Sequence, residues 1–268
     1  MGLSSLAIAM ATTVALMGGL YLLSNLVLYR GLVPLTTSIP IRGFSKPLFY
    51  LLIMPGTVIH ELSHWAACAL TRVRVFEVHV FRPQPNGVVG QVIYERCDPV
   101  RRNLIAFAPF LGGSLALFIV TTFAFPGPKA PDLARLALKP DDLWSSLGLT
   151  LGSVLTLLSQ ADLDRLSTWL FFYLVFSVGY GIAPSKTDLS HLLVDGLAVV
   201  GLSAGLYVAD VVWRLGLGDS GLLNGIAAGL AGLLQGLNTL LLFSAVVIGL
   251  GSIVLVPVAT LLQQLRRR

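Results

Sequence analysis

The chain has 268 residues, of which 55% are hydrophobic and only 12% are charged, whereas a soluble domain carries about 25% charged residues. This composition excludes an ordinary water-soluble enzyme and indicates one membrane-embedded domain over residues 1–268. The net charge of +5 comes from residues in short loops between apolar segments. It therefore argues against nucleic acid as a partner and for the lipid bilayer as the surroundings.

The apolar segments predict an all-α polytopic membrane protein with about six spans. The first segment, Met1 to Tyr29, has no charged residue and is too long for the core of a signal peptide. We therefore expect an accessory span over residues 1–30. A proline-containing linker follows, and the next apolar stretch runs from about Leu48 to Leu70 and contains the polar sequence His-Glu-Leu-Ser-His.

A small β-hairpin is expected directly after this segment. The sequences VRVFEVHVF and VVGQVIY are rich in β-branched and aromatic residues. A turn sequence of Gln, Pro, Asn and Gly at 84–87 separates them. The sequence therefore predicts two short antiparallel strands from Val73 to Tyr94.

Two stretches in the middle of the chain are predicted as spans. Asn103 to about Phe125 has no charged residue, and Ser167 to Ala183 is an apolar segment that ends before Pro184. Between them, Leu143 to Leu158 contains enough Ser and Thr to form an interfacial helix as well as a span, so both interpretations stay open.

The C-terminal part of the chain is expected to supply accessory spans over residues 198–268. Leu189 to Trp213 is predicted as an apolar helix. Ser220 to Gln264 has no charged residue over its whole length. That length fits either a short interfacial helix followed by a span or two tightly connected spans.

Arginine residues indicate the orientation in the membrane, because cytoplasmic loops carry an excess of Lys and Arg. The basic residues concerned are Arg72, Arg74, Arg82, Arg96, Arg101 and Arg102 around the hairpin, and Arg266, Arg267 and Arg268 at the end. The pattern predicts a multi-pass protein of the cell membrane with the hairpin and the C-terminus in the cytoplasm. Four basic residues of other loops, Lys129, Arg135, Lys139 and Arg165, reduce this bias.

The sequence His60-Glu61-Leu62-Ser63-His64 indicates a metal site. Histidines four positions apart on one helix project from the same face, at a separation that one tetrahedral zinc ion can bridge. In this arrangement zinc acidifies water, and the glutamate accepts a proton as the water attacks a carbonyl group. The HExxH pattern is a signature of metalloproteases. His60 and His64 are thus predicted metal ligands, and Glu61 is the predicted general base.

A third ligand has to come from another segment, because catalytic zinc usually has three protein ligands and a water molecule. Asp188 begins the helix that follows Pro184 and is the preferred candidate. His191 and Asp195 lie three and seven positions further on, on the same helix face, and remain alternatives. Ser185 and Asp188 also match a capping box, which explains the aspartate without a metal, and the two roles are compatible.

Together these features resemble the site-2 protease family of intramembrane zinc metalloproteases. In that family a β-hairpin follows the HExxH span, and the next span opens with a basic residue and an Ala-Gly-Pro-like step. A later span ends near a proline-containing loop with an Asp ligand. The corresponding positions are the HExxH sequence, the hairpin, Arg102 with Ala108-Pro109, and Pro184 with Asp188. The resemblance covers a core of residues 48–197.

The chain also departs from the family pattern at some positions. Ala108 stands where the family usually has Gly, and Gly112 replaces a common Asn. Asp188 is followed by Leu189 rather than by Gly, whereas an Asp-Gly pair occurs at Asp195. The choice of third ligand between Asp188 and Asp195 therefore stays open.

The resemblance implies one zinc ion per chain and transmembrane proteins as substrates, with hydrolysis of peptide bonds in or near their membrane segments. A helix hides its peptide bonds in its own hydrogen bonds, so such a substrate has to unwind. We expect the unwound segment to add as a strand to the hairpin Val73 to Tyr94. Two other functions are kept as alternatives: a metal transporter, and a catalytically inactive relative that binds membrane helices.

Overall fold

The computed structural model describes residues 2–33, 45–84, 89–124, 143–183, 185, 187–190, 201, 205, 208 and 221–267. These residues are mainly helical, with one two-stranded antiparallel hairpin after the HExxH helix, as the sequence predicts. Three segments are long and apolar enough to cross a membrane, namely Ser5–Leu32, Pro99–Phe123 and Gly225–Ile253. The length and hydropathy of these segments support the interpretation as a membrane protein.

The elements are labelled in chain order. The helices are α1 (Gly2–Leu26), which continues as a π-helical segment (Val27–Leu32), α2 (Ser45–Leu70), α3 (Pro99–Phe123), α4 (Leu143–Ser159), α5 (Leu166–Ile182) and α6 (Gly221–Arg267). The strands are β1 (Val75–His79) and β2 (Gln91–Tyr94). Residues 187–190 are also helical, but most of the helix expected from Leu189 to Trp213 lies outside the described residues.

The sequence suggested about six spans. Among the described helices, fewer than six reach the length and hydropathy of a span. Helix α5 is apolar but has 17 residues, about 26 Å, which is shorter than a hydrocarbon core of about 30 Å. Helix α2 has 26 residues, but its polar His-Glu-Leu-Ser-His sequence lowers its hydropathy. The stretch that the sequence left open as an interfacial helix or a span forms α4, with 17 residues.

The C-terminal region differs from both arrangements expected from the sequence. Neither two spans nor a separate interfacial helix is present between 221 and 267, because this segment is one continuous helix of 47 residues. Glycine weakens a helix without ending it, and no polar loop interrupts the segment. A helix of this length extends about 70 Å, so a single crossing leaves part of α6 outside the hydrocarbon core.

The helices pack in two groups that share a core. Helix α1 lies along α6, while α2, α3 and α5 pack against one another. The Thr13 hydroxyl lies 2.8 Å from Asn238 Oδ1, and Asn238 Nδ2 donates to the Ala9 carbonyl at 3.0 Å. Such polar contacts join helices where lipid offers no hydrogen-bond partner. Phe110 of α3 and Phe243 of α6 are among the most deeply buried side chains of the common core.

The chain turns from α2 into the hairpin through a defined backbone motif. Arg72 has a left-handed backbone, with φ of 57°. Its N–H donates to the Ala69 carbonyl at 3.2 Å, and the Val73 N–H donates to the Cys68 carbonyl at 2.9 Å. These two bonds form a Schellman motif, which ends the helix and is completed by packing of Val73 with Cys68.

The hairpin then lies alongside α2. Its base is near the C-terminal end of α2, where Tyr94 packs against a small apolar cluster. Further along, Gly90 lies against the side chain of Glu61, and the ring centroid of Phe81 is 6.3 Å from that of Tyr50. Because these contacts follow α2 back towards its start, the second strand is brought next to the HExxH sequence.

Helix α3 begins four residues before the predicted span because it has a capped start. Asp98 Oδ1 accepts a hydrogen bond from the Arg101 N–H at 3.1 Å, and Pro99 opens the first turn. The hydrogen bond from Arg101 lowers the pKa of the Asp98 carboxyl. The cap therefore stays ionised at neutral pH.

Candidate metal centre

Three side chains from two distant parts of the chain converge on one point. The Nε2 atoms of His60 and His64 are 3.2 Å apart. Asp188 Oδ2 lies 3.6 Å from His60 Nε2 and 3.5 Å from His64 Nε2. The three residues are largely buried, and each offers one ligand atom within 4.8 Å of the others. The group could therefore hold a metal ion.

The second nitrogen of each histidine fixes the tautomer. His60 Nδ1 is 2.8 Å from the carbonyl oxygen of Gly181 in the last turn of α5. His64 Nδ1 is 2.8 Å from the carbonyl oxygen of Ile105 in α3. A carbonyl oxygen only accepts hydrogen bonds, so both Nδ1 atoms must carry the proton. In the neutral imidazoles the lone pairs are then on Nε2, and the two Nε2 atoms face each other and a carboxylate oxygen.

This geometry fits a tetrahedrally coordinated metal ion. Three converging lone pairs repel one another unless a cation lies between them. Metal–ligand distances of 2.0 to 2.2 Å place two tetrahedral ligand atoms about 3.3 Å apart, close to the separations of 3.2, 3.5 and 3.6 Å in this group. A metal-binding histidine generally donates its second ring N–H to a nearby acceptor, and the two backbone carbonyls are such acceptors for the imidazoles.

Asp188 belongs to a capping box as well as to this group. The Ser185 N–H and hydroxyl both donate to Asp188 Oδ2, at 3.2 and 2.5 Å, and the Asp188 N–H donates to Ser185 Oγ at 3.2 Å. The Leu189 N–H donates to the Ser185 carbonyl at 2.9 Å, which starts the helical turn. The capping role expected from the sequence is present and is compatible with a role as ligand, because the cap leaves the carboxylate directed at the histidines.

The sequence leaves two alternatives to Asp188 as the third ligand. His191 and Asp195 lie outside the described residues. His79 lies in β1, where its Nε2 is 3.1 Å from Glu77 Oε2. Asp188 is therefore the third ligand candidate for which the structure gives a geometry.

Glu61 lies beside the metal-binding group and is not one of its three members. Its side chain is buried. Among the described residues, no side chain or backbone group donates a hydrogen bond to its carboxylate. Within this part of the chain the carboxylate is therefore an acceptor without a donor, and it packs against Gly90 at the edge of the metal-binding group.

Helix α5 fixes the position of His60 through a line of polar contacts with α2. The Tyr173 hydroxyl donates to the Leu51 carbonyl at 2.6 Å, and the Gly56 N–H donates to Ser177 Oγ at 3.0 Å. One turn further along α5, the Gly181 carbonyl accepts from His60. A Cβ atom on Gly181 would overlap the Gly56 backbone, so glycine is required for this approach of the two helices.

Sequence reasoning did not identify the residues of this contact line, although one signal was present. Pro55 lies inside α2. A proline has no N–H, so it leaves the carbonyl four positions earlier, that of Leu51, without its helical donor. In an apolar environment such a carbonyl needs a donor from elsewhere. Tyr173 supplies it, but only the folded structure shows which side chain does so.

Comparison of the chain with protein-family models, with curated proteins and with solved structures gave no match. The argument for a function therefore depends on the geometry of the metal-binding group and its surroundings.

Proposed function

We propose that this protein is an intramembrane zinc metalloprotease that resembles the site-2 protease family and hydrolyses peptide bonds in or near transmembrane segments of its substrates. One observation carries the proposal. Two imidazole nitrogens and one carboxylate oxygen converge as a group that could hold a metal ion, and a buried carboxylate that is not a member of this group lies beside them. This is the division of roles that the HExxH sequence predicts.

His60, His64 and Asp188 would hold one zinc ion per chain, which leaves a coordination position open for water or substrate. Bound zinc would supply Lewis acidity, which acidifies water and polarises a carbonyl group. Glu61 would accept the proton of the attacking water and later donate it to the leaving amine. The free carboxylate of Glu61 suits this role better than a carboxylate already engaged by donors.

The hairpin would bind the unwound substrate as an additional strand. In the described residues the sheet has two strands, so each strand has an outer edge without a neighbour. Phe76, Val78 and Ile93 are exposed large apolar side chains of these strands. Since Gly90 precedes β2 and touches Glu61, a peptide on this hairpin would extend towards the proposed base.

The topology belongs to the same proposal. Helices α1, α2, α3, α5 and α6 would supply five of the about six spans that the sequence predicts in the cell membrane. The other predicted span falls on Leu189 to Trp213, most of which lies outside the described residues. The arginines of the hairpin region and of the C-terminus favour the cytoplasmic side for both.

The proposal is tested by measuring metal content and cleavage together. Purified protein is expected to contain one zinc per chain and to cut a membrane-anchored peptide that includes a transmembrane helix. Removal of the metal by a chelator should stop cleavage, and added zinc should restore it. Cleavage that persists in zinc-free protein would contradict the proposal. Zinc flux into sealed vesicles without cleavage would favour the transporter instead.

Gly90→Ala tests the contact between the hairpin and Glu61. A Cβ atom at position 90 would lie 2.6 Å from Glu61 Cγ and 3.0 Å from Oε1, so the carboxylate has to move. We expect kcat for peptide cleavage to fall about 100-fold, as for a catalytic group displaced by about 1 Å, while the zinc content is unchanged. Gly148→Ala is the matched control, because a Cβ atom there meets open space. Equal kcat values for both variants would contradict this role of Gly90.

A further inference from the structure

The hydrogen bond that orients His64 depends on an irregularity of α3. In a regular helix the Ile105 carbonyl would accept the N–H of residue 109. Residue 109 is a buried proline inside α3 and has no N–H to donate. The Ile105 carbonyl therefore lacks its helical donor, and His64 Nδ1 lies 2.8 Å from it.

We infer that Pro109 is a positioning residue for His64: by withholding a helical N–H, it reserves the Ile105 carbonyl for the imidazole of another helix. The inference rests on the proposed metal site. It goes beyond that site by assigning the orientation and tautomer of one ligand to a proline that is not a member of the metal-binding group. With Nδ1–H held by Ile105, Nε2 is directed at Asp188 and His60.

The same principle operates at the other helix contacts around the site. Helix α5 ends at Ile182, so the Gly181 carbonyl is one of the last carbonyls that lack a helical donor, and it accepts from His60. The Leu51 carbonyl, freed by Pro55, accepts from Tyr173. In all three cases a carbonyl that the helix cannot satisfy is paired with a side-chain donor from a neighbouring helix.

Two explanations of Pro109 predict different results. If the proline only bends α3, its removal improves the helix and has no specific effect on metal affinity. If it reserves the carbonyl for His64, its removal introduces a competing N–H donor. The metal then binds more weakly although the helix itself becomes more regular.

The test is Pro109→Ala, with zinc affinity and thermal stability of the zinc-free protein as the two measurements. We expect zinc affinity to fall about 10- to 100-fold, as when an outer partner of a metal-binding histidine is lost. The melting temperature of the zinc-free protein should be unchanged or higher. Pro257→Ala is the matched control, because Pro257 lies inside α6, away from the site. Its zinc affinity should equal that of the unchanged protein.

Nitrogen NMR of histidine-labelled, unsubstituted protein gives a second measurement that does not depend on the variant folding. The chain has four histidines, so the signal of His64 can be assigned with His64→Gln. A protonated Nδ1 is expected for His64 in the zinc-free protein. A proton on Nε2 instead would overturn the inference, and so would unchanged zinc affinity in Pro109→Ala.

Neither measurement uses proteolysis, so the inference and the proposed function can fail separately. If the protein binds zinc but cuts no peptide, the proposed protease is contradicted. The role of Pro109 is then still decided by the zinc affinity of Pro109→Ala. If the unchanged protein binds no zinc, the proton position on His64 in Pro109→Ala, compared with that in the unchanged protein, still tests whether the proline directs the imidazole.

Discussion

Glu61→Gln is expected to lower kcat for peptide cleavage by about 1,000-fold while the zinc content stays at one per chain. The amide keeps the size of the side chain and cannot accept the proton of water, so the variant removes general-base catalysis, which typically contributes 10²- to 10⁴-fold. Zinc should be retained because Glu61 is not among the converging ligand atoms. Cleavage rate and zinc content, measured on the same preparation, check both parts of the prediction.

Glu95→Gln is the matched control, since it removes an exposed carboxylate that lies after β2 and outside both strands of the hairpin. Its cleavage rate should stay within a few-fold of the unchanged protein. Equal cleavage by Glu61→Gln and the unchanged protein would contradict the proposed mechanism. Loss of zinc from Glu61→Gln would show that Glu61 acts as a ligand, contrary to the assignment of Asp188.

Asp188→Asn is expected to reduce zinc affinity by more than about 100-fold and to abolish cleavage at limiting zinc. Loss of a group that only hydrogen-bonds a metal ligand already lowers metal affinity 10- to 100-fold. The loss should be larger for Asp188, because it is proposed to contact the ion itself. A neutral amide is a much weaker zinc ligand than a carboxylate. Its oxygen can still accept the Ser185 N–H, so the helix start is largely preserved. Titration of the metal-free variant with zinc measures the effect.

Ser185→Ala separates the two roles of Asp188. This variant removes the hydroxyl of the capping box and keeps the carboxylate, so we expect a loss of about 1 kcal/mol in stability. Zinc affinity should fall less than in Asp188→Asn, because only the orientation of the ligand is affected. If Ser185→Ala weakened zinc binding more than Asp188→Asn, Asp188 would be a helix cap and not a ligand.

The features that depend on local sequence could be predicted. The hairpin was expected from Val73 to Tyr94, and the strands are Val75–His79 and Gln91–Tyr94. The apolar segment expected from Ser167 to Ala183 forms helix Leu166–Ile182, although this helix is shorter than the span that was predicted. β-Branched residues around a Pro-Asn-Gly turn and an apolar segment ended by proline are short-range signals, so the fold around them hardly alters the outcome.

The features that depend on distant contacts could not be predicted. Asp188 was preferred to Asp195 for its position after a proline, whereas its distance to the two histidines is a property of the packing of α2 and α5. The continuity of α6 was missed because a long uncharged segment does not show where a chain turns back. The prolines at 55 and 109 indicated free carbonyls, but the sequence does not name their donors.

Both oxygens that hold the imidazoles belong to the main chain, and this has a consequence for how the site can be disturbed. No point substitution at 105 or 181 can delete a backbone acceptor. A side chain at 181 would act only indirectly, by forcing α5 away from Gly56, so the anchoring of the two histidines does not depend on a side-chain acceptor at either position. It responds instead to the axial register of α3 and α5 against α2. A bilayer whose thickness changes the tilt of α5 moves the oxygen that holds His60, which couples the lipid surroundings mechanically to the imidazole.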